Sequence, residues 1–243
     1  MAGPVIEVRG LSYAYPDGTV GLRQVDFSLD QGETVGLIGA NGAGKSTFIL
    51  HLNGVLRGEG EVCIGGEKLD KRNLRRVRAR VGIVFQDPND QLFMPTIFDD
   101  VAFGPLSFGL PAVEVEEKVN GVLQDLGLYE VRGKPPHHLS LGERKKAALA
   151  TVLVMEPDIL VLDEPSVSLD PGTRRRFIRL IRDLDGAKII ASHDLDLVYE
   201  LCSRVVLLDK GRVMARGPTV EILKDQKLLE AHSLEVPLSI TTR

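Results

Sequence analysis

The amino-acid sequence predicts an α/β fold in which a parallel core sheet is joined to an antiparallel N-terminal β part and carries a helical insertion. Three observations predict it. The first 30 residues alternate polar and apolar, as half-buried strands do. Ile159 to Leu162 and Lys188 to Ala191 are instead nearly continuous apolar runs, the pattern of parallel strands covered on both faces. Between these regions, from about Asp99 to Met155, the spacing turns helical.

In chain order, Ile6-Glu7-Val8 and Val25 to Leu29 read as strands, with Tyr15-Pro16-Asp17-Gly18 as a turn between them. The apolar segment Val35 to Ile38 is a strand that runs into a glycine-rich loop, and Phe48 to Leu52 continues as a helix. Gly58 to Gly66 reads as a short hairpin around Val62-Cys63-Ile64, and Val81 to Phe85 as a strand ending at Gln86. Val115, Val119, Val122 and Leu126 recur at helical spacing within Val113 to Leu126. Val205 to Leu208 and Arg212-Val213-Met214 supply late strands. A single domain over 1–243 is expected, with 1–95 and 156–243 as the β-rich core and 96–155 as a helical subdomain.

Composition narrows the function classes. A hydrophobic share of 43% is enough for a substantial core. The net charge of −4 argues against nucleic acid as a partner. The basic runs Arg72 to Arg80 and Arg174-Arg175-Arg176 then read as solvated helix faces or as surface near a membrane or partner. Cys63 and Cys202 show no metal-ligand or disulfide spacing, so incidental thiols in a reducing compartment are expected. No secretory signal is visible, and the longest nearly apolar run, Ala147 to Met155, is far short of the roughly 20 residues that span a bilayer. The expectation is a soluble protein that reaches the cytoplasmic face of a membrane only through partners.

The segment Gly39-Ala40-Asn41-Gly42-Ala43-Gly44-Lys45-Ser46-Thr47 fits the pattern of a phosphate-binding P-loop. Glycines let backbone N–H groups turn inward around phosphates, and the following helix directs its positive end at them. Lys45 would neutralise β/γ charge, and the Ser46 hydroxyl would hold Mg²⁺. Ile159 to Pro165 has the form of a Walker B strand, delivering Asp163 and Glu164 where α/β sheets place ligands. Asp163 would hold Mg²⁺ through water, and Glu164 would orient the attacking water. ATP and Mg²⁺ are the expected cofactors.

With these motifs in this order, nearly the whole chain resembles the ABC transporter ATPases. The resemblance implies ATP hydrolysis at a split site. Gln86 matches the Q-loop glutamine that contacts Mg²⁺ and faces the membrane subunit. Ser168-Leu169-Asp170 matches the D-loop, and His193 the switch histidine that senses the γ-phosphate. Tyr15 matches the aromatic that stacks on adenine, with Tyr13 as the competing choice. Leu139-Ser140-Leu141-Gly142-Glu143 matches the signature segment, in which Ser140, Gly142 and Glu143 would close on the nucleotide of a second copy of the chain. It departs from the usual Leu-Ser-Gly-Gly-Gln at Leu141 and Glu143. The same residues also read as a capping box that starts a helix.

Phe85 to Phe93, followed by Thr96 and Asp100 to Pro105, resembles the energy-coupling-factor (ECF) group, cobalt/nickel importer type (CbiO-like), as do Ser12 to Gly18 and the tail Leu228 to Ser239. That implies a transition-metal importer in which a homodimer works beneath a transmembrane coupling subunit and a substrate-binding membrane subunit. Asp90, together with Asp99 or Asp100, would accept an arginine from the coupling subunit. An ECF ATPase for a vitamin such as biotin and a soluble non-transport ABC ATPase are the competing functions. A P-loop kinase would lack both the signature and the histidine, and a non-hydrolysing scaffold would release no phosphate.

Overall fold

The computed structural model describes residues 3–241. In chain order the elements are β1 (Ile6–Ala14), β2 (Val20–Leu29), β3 (Thr34–Ile38), α1 (Lys45–Leu52), β4 (Glu59–Ile64), β5 (Glu67–Lys68), α2 (Leu74–Arg80) and β6 (Val81–Val84). They continue with α3 (Ile97–Ser107), α4 (Ala112–Asp125), α5 (Leu141–Leu153), β7 (Ile159–Asp163), α6 (Pro171–Asp183) and β8 (Ala187–Ser192). The last are α7 (Leu195–Leu201), β9 (Arg204–Asp209), β10 (Arg212–Pro218), α8 (Thr219–Lys224), α9 (Gln226–Ala231) and α10 (Leu238–Thr241).

Two sheets result. One is antiparallel, in the order β2-β1-β4-β5. The other has the order β10-β9-β3-β8-β7-β6, parallel from β9 to β6 with β10 as an antiparallel edge. The parallel strands sort their side chains with period two, as the pleat requires. Ile159 and Val161 join a cluster with Phe27, Phe48 and the antiparallel sheet, whereas Leu160 and Leu162 join a cluster with α3 to α9. Val206 and Leu208 follow the first pair, and Val205 and Leu207 the second. The six-stranded sheet is therefore covered on both faces, which is why its strands read as apolar runs.

The residues Val62-Cys63-Ile64 are not the bend of a hairpin. They lie inside β4, paired with β1, and the turn falls at Gly65-Gly66. Both glycines have positive φ, 58° and 80°, which a tight two-residue turn needs. The helical stretch opens two residues earlier than expected, because the Thr96 side chain accepts a hydrogen bond from the Asp99 amide and caps α3. Val115, Val119 and Leu126 are buried as their spacing predicts, and Leu123 replaces Val122 as the third buried residue of α4.

The basic run on α2 is absorbed locally. Arg76 pairs with Glu67, Arg80 with Asp158, and Arg75 and Arg78 donate to the carbonyls of Ser107 and Asn53. On α6, Arg174 pairs with Asp194, and Arg176 donates to Thr173. Both cysteines are free thiols, and burial pushes the Cys202 thiol up to about 12. Among the described residues, no helix is long and apolar enough to cross a membrane.

Phe48 fixes α1 to the sheets, being fully buried with its ring 5.1 Å from that of Phe27. Phe48→Ala is expected to destabilise the fold by about 3–5 kcal/mol, read as a lower midpoint in urea unfolding at unchanged slope.

Candidate nucleotide site

Parallel register brings β3, β6, β7 and β8 to one sheet edge, with Ile38 beside Ser192, Val84 beside Leu162 and Asp163 beside Ala191. The loops that leave this edge carry most of the expected site residues. A cavity of about 400 Å³ there is lined by Tyr15, by Asn41, Gly42, Ala43, Gly44, Lys45, Ser46 and Thr47, and by Gln86, Asp163 and Glu164.

The loop geometry explains its glycines. Gly39 has φ +153°, and a Cβ there would lie 2.3 Å from the Leu208 carbonyl oxygen. Gly44 is the N-cap of α1 at φ 107°, and a Cβ there would lie 2.7 Å from the Gly21 carbonyl oxygen. Lys45 is folded back along the loop, so that Nζ donates to Gly39 O at 2.7 Å and Ala40 O at 3.3 Å. The same ammonium lies 3.4 Å from Glu164 Oε1.

The two Walker-type carboxylates are both buried but differ in their surroundings. Glu164 accepts from Ser192 Oγ at 2.8 Å, from the His193 amide at 3.1 Å and from His193 Nδ1 at 2.8 Å. Its backbone is left-handed at φ 45°, an uncommon state for glutamate, and its amide is held by Ala191 O at 2.8 Å. Asp163 keeps one buried oxygen, Oδ1, without a hydrogen-bond partner among the described residues. Burial pushes its carboxyl pKa up, and the Glu164 charge adds to this, while Ser46 and Lys45 oppose it. A buried carboxylate oxygen without a donor, beside the Ser46 hydroxyl, suits a hard divalent cation with oxygen ligands, so these residues fit Mg²⁺.

Tyr15, not Tyr13, lines the cavity; its hydroxyl lies 2.8 Å from Thr47 Oγ1, and Tyr13 packs edge-on against it. His193 lines a neighbouring cavity together with Ala40 and Asn41, and is joined to the first through Glu164. Gln86 is exposed at the cavity.

Ser140, Gly142, Glu143 and Asp170 do not line this cavity. Ser140 and Glu143 form the expected capping box, with the Ser140 amide and hydroxyl donating to Glu143 Oε2 at 2.8 and 2.7 Å. Asp170 caps α6, accepting from the amides of Gly172 and Thr173 at 3.0 Å. Of the carboxylates proposed to act with Asp90, Asp99 accepts from Thr96 Oγ1 at 2.6 Å, and buried Asp100 holds the amides of Phe93 and Met94 at 2.9 Å through Oδ1, while its Oδ2 has no hydrogen-bond partner among the described residues. Asp90 remains exposed.

Sequence reasoning missed Ser192 and Lys145. Ser192 is fully buried between Glu164 and the Asp194 amide, and its position just before His193 was the available signal. Lys145 lies on the buried face of α5, four residues before Leu149. A lysine at a core position of a helix is a legible anomaly.

A phosphate-loop strand–helix unit, a carboxylate-tipped neighbouring strand and an added antiparallel sheet define a nucleotide-hydrolysing P-loop protein. The chain belongs to the ABC transporter family, whose model matches residues 22–167, and it is an ATPase of that family. A Geobacter sulfurreducens protein named in general terms as an ABC transporter ATP-binding protein is 54% identical over 241 residues, covering 99% of this chain and 97% of its own. The energy-coupling factor transporter ATP-binding protein EcfA of Methanothermobacter thermautotrophicus is 48% identical over 239 residues, 96% of this chain and 77% of its own. The solved structure of cbiO1 from Clostridium perfringens, described as part of the ABC transporter complex cbiONQ, superposes with a TM-score of 0.82 at 35% identity, covering 94% of each chain.

Because burial raises the Asp163 pKa, its ionised form opposes folding. That group's contribution to stability is greatest at low pH and is lost as pH rises through its folded-state pKa. Asp163→Asn should therefore raise the melting temperature at pH 7 by roughly 2–4 °C, the shift that about 1 kcal/mol gives a domain of this size. It should also abolish Mg²⁺-dependent phosphate release. The stability gain should vanish below pH 4, which thermal melts across pH would show.

Proposed function

We propose that this chain is the ATP-hydrolysing subunit of an ECF-type importer and energises uptake of a transition-metal ion, cobalt or nickel, from the cytoplasmic face of the membrane. Two copies sandwich two ATP molecules. Each nucleotide is held by one copy's Gly39–Thr47 loop and Tyr15, and is closed over by Ser140, Gly142, Glu143 and Asp170 of the other. The observation that carries the dimer is the division of the site: the cavity that gathers Lys45, Ser46, Gln86, Asp163 and Glu164 has none of those four closing residues in its lining. The relative named EcfA and the likeness to cbiO1 support the ECF assignment, and the metal cargo rests on the resemblance carried by Phe85 to Pro105.

Ser46, Asp163 and Gln86 would hold Mg²⁺, which when bound supplies positive charge to the β- and γ-phosphates. Lys45 exchanges its loop carbonyls for phosphate oxygens. Glu164, fixed by Ser192 and His193, orients the water that attacks the γ-phosphate, and His193 reports whether that phosphate is present. Closure then moves α3 to α5, which follow Gln86 in the chain, and with them the membrane partner.

The contact with that partner is read from exposed apolar surface that follows Gln86 in the chain. Phe93, Phe103 and Leu106 are 65%, 48% and 52% exposed, and the Phe93 and Phe103 rings stack edge-on at 5.1 Å. With Asp90 nearby in the chain, they form a site for an amphipathic helix carrying arginine, presented by the transmembrane coupling subunit. The cargo reaches the substrate-binding membrane subunit instead, so a vitamin such as biotin is the alternative cargo. Uptake of labelled cobalt or nickel against biotin, in cells carrying the chain with its membrane partners, separates the two.

Glu164→Gln should bind ATP, lose about 10²–10⁴ in turnover, and elute as an ATP-dependent dimer. Normal turnover in that variant would refute the role given to Glu164. Asp90→Lys should leave ATPase activity in solution unchanged and abolish cargo uptake; full uptake would sink the arginine contact.

A further inference from the structure

Lys145 is a charged side chain on the core face of α5, only 5% exposed. Its Nζ donates to the backbone carbonyls of Gln86 at 3.2 Å and Glu164 at 3.4 Å. Among the described residues these two carbonyls are its hydrogen-bond acceptors, and the charges of Asp87 and Glu164 help to offset its burial. Taking an ammonium out of water without a paired carboxylate is unfavourable, and a methionine of similar length would fill the space at lower cost. The charge is therefore spent on what it touches. Those carbonyls belong to two residues whose side chains line the nucleotide cavity. The helix that carries Lys145 begins with the Ser140–Glu143 capping box, two residues upstream.

We propose that Lys145 is a positioning residue that couples the two ATP sites of the dimer, tying the Gln86 and Glu164 backbones of one site to the helix whose N-terminus closes the other. This rests on the dimer reading above. Lys145 does not line the nucleotide cavity, so it acts through Gln86 and Glu164. A shift of α5 as the dimer closes moves both carbonyls, and a change at either carbonyl tilts α5. A physical link of this kind has two arrangements that both sites bias.

The test compares the unaltered chain with Lys145→Met and Lys145→Gln. Lys145→Met should keep nucleotide affinity within about 2-fold, lower kcat by about 5- to 30-fold, and bring the Hill coefficient for ATP toward 1. Lys145→Gln, which retains an N–H for the carbonyls, should recover part of both. Unchanged kcat and cooperativity in Lys145→Met overturns the proposal. So does an equal loss of affinity and rate in both variants, which would make Lys145 a packing residue.

Hydrogen exchange on the Glu164→Gln chain, with Lys145 intact, gives an arm independent of how the Lys145 variants fold. ATP should protect the segment 86–90 and the first turn of α5 in parallel; protection of one without the other overturns the coupling. If Glu164→Gln stays monomeric with ATP, the dimer reading itself fails and this inference falls with it. Monomeric elution identifies that outcome.

Discussion

Two adjacent carboxylates buried at the end of β7 are the constraint around which the rest of the site is arranged. A strand covered on both faces delivers Asp163 and Glu164 to the sheet edge at 6% and 4% exposure, where unpaired charge is costly. Glu164 is satisfied by Ser192, by two donors of His193 and, at longer range, by Lys45. Asp163 is left with a buried oxygen that nothing among the described residues satisfies. The same burial thus produces two environments and two chemistries. One carboxylate is oriented by fixed donors, as a water-positioning group must be, and the other is open to a cation. The left-handed backbone at Glu164 is the strain that separates them, because it turns the second carboxylate from the strand toward β8.

The helical insertion does not have a core of its own. Val115, Val119 and Leu123 of α4 belong to one cluster with Leu160 and Leu162 of β7 and Ile190 of β8. Helix α5 is the shared member, packed against α3, α4, α6 and β6. Close-packed interiors do not deform continuously, so motion of the insertion must proceed by sliding or tilting α5 as a unit. Lys145 joins α5 to the backbones of Gln86 and Glu164, two residues of the nucleotide cavity.

The parts of this molecule legible in sequence are those with a local physical signature. The phosphate loop is legible because only glycine tolerates the backbone at Gly39 and Gly44, and β7 and β8 because coverage on both faces leaves no polar alternation. The β4–β5 turn was misplaced because apolar Val62 and Ile64 drew attention to the strand, while the bend lies in the glycines after it. Asp99 and Asp100 carry hydrogen bonds that sequence does not reveal, Asp99 from the Thr96 hydroxyl and Asp100 from the amides of Phe93 and Met94. The contacts of Lys145 and Ser192 depend on residues far away in the chain, so no local pattern displays them.

The departures at Leu141 and Glu143 take on a specific meaning at the capping box. Gly142 is needed within the chain, since a Cβ there would lie 2.6 Å from Thr173 Cγ2 on α6. Leu141 is half-buried, so its bulk is partly withdrawn from the surface that a phosphate would approach. Hydrogen bonds from the Ser140 side chain and backbone hold the Glu143 carboxyl below the usual carboxylate range, so it is anionic at neutral pH. The Ser140 hydroxyl already donates to an anion. If the segment closes on a partner's γ-phosphate, that hydroxyl exchanges one anionic acceptor for another rather than leaving water. The exchange is nearly balanced for the hydroxyl, and it releases the Glu143 carboxylate beside a phosphate of the same sign. A glutamine at 143 would give the same cap without that repulsion, so in a closed dimer Glu143 would favour reopening.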